Sequence, residues 1–84
     1  SLSEAYPNPF NPVTTMELIM PVAGDMTVEV YNLLGQSVST LTSGYKDAGT
    51  YSLIWDATDA ASGMYFVKAQ ADGFTKIQKL MLVK

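Results

Sequence analysis

Turn-forming residues punctuate this chain at intervals of roughly 8 to 12 residues, and no stretch between them keeps a helical period beyond about two turns, so the segments between must be strands. Gly24-Asp25, Gly35, the group Gly44, Asp47 and Gly49, and Asp72-Gly73 mark the reversals. In Met26-Thr27-Val28-Glu29-Val30-Tyr31 the alternation is cleanest, with Met26, Val28 and Val30 on one face and Thr27, Glu29 and Tyr31 on the other. Such a segment reads as a central strand with one face buried.

The neighbouring segments follow the same rule. Thr14 to Met20 places Met16, Leu18 and Met20 on one face and is ended by Pro21, which has no N–H to give to a ladder. Tyr51, Leu53 and Trp55 share a face, and Met64 to Ala71 is apolar on both faces in its first half, which predicts that it is well covered. Phe74 to Val83 closes the series, with Leu80 and Leu82 on one side and Lys79, Met81 and Val83 on the other. The expected core is Val28, Val30, Leu53, Trp55, Leu80 and Leu82. The expected fold is an all-β, immunoglobulin-like antiparallel sandwich of about seven strands, preceded by a proline-rich lead segment over residues 1–12 and occupying residues 13–84 as a single domain.

With 84 residues the chain can bury one core but not a core and a deep cleft beside it. Its apolar runs, Met64–Val67 and Leu80–Val83, are strand-sized, well short of the roughly 20 residues of a membrane-spanning helix, so membrane insertion is not expected. Cysteine and histidine are both absent, which removes disulfides, thiolate zinc sites and the usual catalytic bases. No cofactor is implied. The net charge is −3 and all five basic residues are lysines, so nucleic acid is not an expected partner. The chain opens without an initiator Met or a signal-peptide pattern, which implies a piece of a longer polypeptide.

No constellation of side chains supplies an active site, and the expectation is that the chain is not an enzyme. The eight acids fall in turns or at outward strand positions. Asp56 and Asp59 are close enough to contribute to a calcium site, but they lack the spacing and distal glutamate of an EF-hand loop. Bonding to nearby backbone N–H groups is the better reading. Lys76, Lys79 and Lys84 read as guards against edge-to-edge association, and Tyr31, Tyr45 and Phe74 as aromatics outside the core, a weak pointer to sugar binding.

The least ordinary stretch is Tyr6-Pro7-Asn8-Pro9-Phe10-Asn11-Pro12, which can be neither a helix nor a central strand. Its prolines hold it extended, its asparagines can bond backbone groups, and Tyr6 and Phe10 are placed to pin it across one end of a sandwich. This motif, followed by Val30-Tyr31-Asn32-Leu33-Leu34-Gly35-Gln36, Ala48-Gly49, Trp55-Asp56, Ser62-Gly63-Met64-Tyr65-Phe66 and a last strand ending in lysine, resembles the type A C-terminal sorting domain of the type IX secretion system. The same profile is similar to the immunoglobulin-like domain of the flagellar hook-capping protein.

The resemblance implies a domain at the C-terminus of a secreted protein of Bacteroidetes or related phyla. Such a domain directs an upstream cargo through an outer-membrane translocon, from periplasm to cell surface or medium, and is then removed by a processing peptidase. It places the sorting motif at Tyr6, Pro7, Asn8, Pro9, Phe10, Asn11 and Pro12, at Gly63 and Tyr65, and along Lys79, Leu80, Met81, Leu82, Val83 and Lys84. Edge pairing of the last strand is the expected mode of reading, given the apolar outer side chains of Met81 and Val83. The alternative is an accessory module that binds carbohydrate or spaces domains, and a flagellar cap domain is a third reading.

Overall fold

Six strands form, in a computed structural model that describes residues 1–84: β1 (Val13–Met20), β2 (Gly24–Tyr31), β3 (Ser37–Lys46), β4 (Gly49–Asp56), β5 (Gly63–Ala71) and β6 (Phe74–Leu82). The sandwich is all-β and antiparallel as the alternation implies, with six strands in place of about seven. Gly44 does not interrupt β3, which runs straight through it. The lead segment adds no strand either, because Pro7, Pro9 and Pro12 lack the N–H groups a continuous ladder needs, and it makes only isolated bridges.

One sheet is the pair β1-β4 and the other has the order β3-β2-β5-β6. The chain changes sheet between β1 and β2, between β3 and β4, and between β4 and β5. It stays within the larger sheet at two tight reversals, Asn32–Gln36 and Asp72-Gly73. Asn32 organises the first: its Oδ1 accepts from the N–H groups of Leu34 and Gln36 at 2.9 and 3.0 Å. Gly73, at φ +75°, supplies the left-handed backbone that the two-residue turn requires.

Between the sheets lie Met16, Leu18 and Met20 of β1, Met26, Val28 and Val30 of β2, Leu53 and Trp55 of β4, Tyr65, Val67 and Ala69 of β5, and Leu80 and Leu82 of β6. Each set follows the period-two rule, so the inward face of every strand but β3 is legible as a run of alternate apolar residues. Phe74 is half-buried and packs on this core instead of standing apart as an exposed aromatic. Trp55 is the hub at one end. Its ring lies 5.4 Å from Phe10 in a tilted contact and 5.1 Å from Tyr65 in an edge contact.

Candidate recognition surface

The lead segment lies along the side of the sandwich where β1 and β6 are the sheet edges, and ties them together. On the β1 side, Leu2 bridges Leu18 and Tyr6 bridges Thr15; on the β6 side, Phe10 bridges Leu82. Ser3 N–H donates to Glu17 O at 2.8 Å, Tyr6 N–H to Thr15 O at 2.9 Å, and Thr15 N–H to Tyr6 O at 3.1 Å. Thr14, the buried polar side chain of β1, donates its hydroxyl to Pro7 O at 2.8 Å, satisfying its only donor inside the core.

Against β6 the lead segment uses side chains where prolines leave it short of backbone donors. The Asn8 amide behaves as a peptide group: its Oδ1 accepts from Met81 N–H at 3.0 Å and its Nδ2 donates to Lys79 O at 2.9 Å. Phe10 then adds two true backbone bonds, N–H to Met81 O and C=O from Val83 N–H, both 3.0 Å. Farther along, Gln78 Oε1 accepts from Ala5 N–H at 2.8 Å, Gln78 Nε2 donates to Ser3 O at 2.9 Å, and Lys76 Nζ donates to Leu2 O at 2.5 Å. The Lys79 carbonyl, both main-chain groups of Met81 and the Val83 N–H are therefore already partnered. Edge pairing through the last strand, as expected from sequence, would first have to displace the lead segment.

Phe10 is buried, and Pro7 and Pro12 hold their carbonyls on Thr14 and on Ala57 N–H. Tyr6, 81% exposed, does not pin the segment with its ring as expected; its backbone does so, while Asn11 stays exposed. Gly63 pairs with Leu82, Met64 with Met81, and Tyr65 with Leu80. Lys84 donates its N–H to Ser62 Oγ and its Nζ to Thr58 O at 2.6 Å. Three sequence motifs that lie far apart in the chain thus meet at one end. Asn8, Pro9, Met64, Lys79, Leu80 and Met81 line a shallow depression of about 270 Å³ on that surface.

Gly63 adopts φ +146°, with nothing within 4 Å of where a Cβ would be. Backbone strain, not crowding, therefore holds the position for glycine. Gly63→Ala is expected to lower stability by about 1 to 3 kcal/mol, read as a shifted urea midpoint at unchanged slope.

The loop after β4 is closed by Asp56, whose Oδ1 accepts from the Thr58 N–H at 3.0 Å and from the Thr58 hydroxyl. These bonds, hydroxyl first, hold the Asp56 carboxyl below its ordinary value of 3.8, with slight desolvation opposing. A depressed folded pKa gives a contribution to stability that is present above the unfolded value and lost as pH falls through the folded one. Thr58→Val removes the leading bond, and the Asp56 carboxyl is expected to titrate nearer its ordinary value in an NMR pH titration.

Sequence reasoning missed Leu2 and Ala5, both buried, and the bonding roles of Lys76 and Gln78. An isolated leucine among serines carries no periodic signal. Thr14 could have been found, since it continues the Met16, Leu18, Met20 face.

A family model described as the secretion system C-terminal sorting domain matches residues 4–84. No curated protein matches the chain. The matched span takes in the lead motif, all six strands and Lys84, so it covers each segment that meets at the surface described above. The chain belongs to the family of secretion system C-terminal sorting domains.

Proposed function

We propose that the export machinery reads this chain on the surface built from Asn8 and Pro9, Gly63 to Tyr65, and Lys79 to Lys84. The chain is the C-terminal sorting signal of a type IX secretion cargo protein, and its cargo is exported with it. The single observation that supports this surface is convergence: the lead motif, the β5 start and the β6 end form one continuous patch with half-exposed apolar side chains, Met64 and Met81, beside the Lys79 ammonium. An apolar centre with a charged rim is the usual make-up of a protein-binding patch. The outer-membrane translocon is the proposed reader and a processing peptidase the later partner, with the cargo ending at the cell surface or in the medium.

The test fuses residues 1–84 to a signal-peptide-bearing fluorescent passenger in a bacterium with a working type IX system. Met64→Gln with Met81→Gln changes only the outer face of the sheet and sets no like charges opposite each other in this cross-strand pair. Export is expected to fall by about tenfold or more while the purified domain keeps its unfolding midpoint. Undiminished export of this variant, alongside loss of export on removing the whole domain, would move the reading surface elsewhere on the sandwich.

A further inference from the structure

The opposite side of the sandwich, where β3 and β4 are the edges, has no counterpart of the lead segment. The two edges are not equally open. The β2–β3 register skips at Leu41 and again at Val38, so β3 carries two bulges, a device that twists an edge out of pairing geometry. β4 pairs with β1 without interruption from Gly49 to Asp56 and contains no proline, lysine or bulge. It is a flat edge on a sheet of only two strands, and two-stranded sheets gain from a third.

The direction of its free groups follows from the lead segment. Thr15, Glu17 and Ile19 of β1 direct their N–H groups away from β4, to Tyr6 O, Ser3 Oγ and Ser1 O at 3.1, 2.8 and 2.7 Å. In an antiparallel ladder the residues opposite such positions turn their own N–H and C=O outward. Those residues are Ile54, Ser52 and Thr50. Three evenly spaced backbone pairs therefore face solvent along β4.

At the Asp56 end this edge opens onto a cleft of about 400 Å³ between the sheets, lined by Val38, Trp55, Asp56, Asp59, Ala60 and Tyr65 among others. The cleft reaches Trp55 and Tyr65, which pack edge to face, and Trp55 is the ring that also packs against Phe10. Its floor is aromatic and aliphatic, and its rim carries two carboxylates, one of which, Asp56, is held ionised by Thr58. Lys84 Nζ is engaged with Thr58 O, in the loop that carries Asp56 and Asp59.

We infer that β4 and this cleft form a second docking site, for an extended segment of another protein that adds as a third strand, seats one apolar side chain on Trp55 and Tyr65, and sets a basic residue against Asp56 and Asp59. The carboxylate rim selects a cationic strand over a second copy of this chain, whose own net charge is −3 and whose β4 has no basic residue. The inference goes beyond the export reading, since the strand that would be added pairs with β4, whereas the export surface runs along β6 and the lead segment.

The test titrates the 15N-labelled chain with the capped peptide Thr-Lys-Val-Phe-Val-Lys-Thr and with its counterpart carrying Glu for each Lys. Amide shifts are expected at Thr50, Ser52 and Ile54 and at the Trp55 indole, with the lysine peptide binding about tenfold more tightly. Ser52→Pro removes one outward N–H without touching the β1 ladder and is expected to abolish the shifts. Asp59→Lys, at an exposed site, leaves the rim with one negative and one positive charge and is expected to abolish the peptide preference. The inference is overturned by the absence of shifts, by equal affinities, by shifts confined to β6, or by β4 shifts that appear on concentrating the chain without peptide, which would assign the edge to a second copy.

Discussion

Trp55→Ala is expected to remove a large part of the chain's stability and to bring it close to unfolding at room temperature. The side chain is buried between Phe10 and Tyr65 and links the lead segment, β4 and β5 at one end of the core. Truncating a buried aromatic of this size costs about 3 to 5 kcal/mol, part lost transfer energy and part residual cavity. A chain of this length holds a net stability of only about 4 to 12 kcal/mol. With no cysteine the chain has no disulfide to restrain its unfolded state, so the loss falls on packing. Urea unfolding followed by far-ultraviolet circular dichroism measures it, since the substitution removes the only tryptophan. Trp55→Phe, which keeps an aromatic face for Tyr65, is expected to lose less than half as much. A midpoint for Trp55→Ala equal to that of the parent would show that the aromatic cluster is not the support described here.

The sandwich was legible because its physics is local and periodic. Met26, Val28 and Val30 alternate with polar neighbours, and Asn32 to Gln36 and Asp72-Gly73 carry turn chemistry that needs no partner from elsewhere in the chain. The strand count was not legible to the unit, because Gly44 reads as punctuation and yet is absorbed into β3. What the sequence hid was long-range and polar. Asn8 announces only that it can bond backbone; that the backbone is Lys79 and Met81, at the far end of the chain, depends on how the sheets pack. The same is true of Gln78, a polar residue on the Leu80 and Leu82 face of β6, which makes a double contact to the lead segment. The motif residues were expected from resemblance, while the contacts that bring them to one end of the sandwich required the fold.

Deleting residues 1–10 is expected to produce an aggregating or unfolded chain, and two single substitutions separate the reasons. The deletion removes the buried side chains of Leu2, Ala5 and Phe10 and at the same time bares the outer edge of β6 at Lys79, Met81 and Val83. Phe10→Ala isolates the packing loss, about 3 to 5 kcal/mol, because it keeps the backbone bonds to Met81 and Val83. Asn8→Leu isolates the edge: the Met81 N–H and Lys79 C=O lose their partner at an exposed position where water replaces it, so the cost is about 1 kcal/mol. Hydrogen exchange distinguishes the two, since Asn8→Leu is expected to accelerate the Met81 amide while Leu80, whose N–H faces β5, stays protected. Light scattering then reports whether the bared edge recruits a second chain, as an unpartnered edge strand does. A deletion variant that stays monomeric and folded would show that the prolines and asparagines of the lead segment serve recognition alone, whereas loss of structure in that variant with only faster Met81 exchange in Asn8→Leu shows one segment closing the core with Phe10 and guarding the last strand with Asn8.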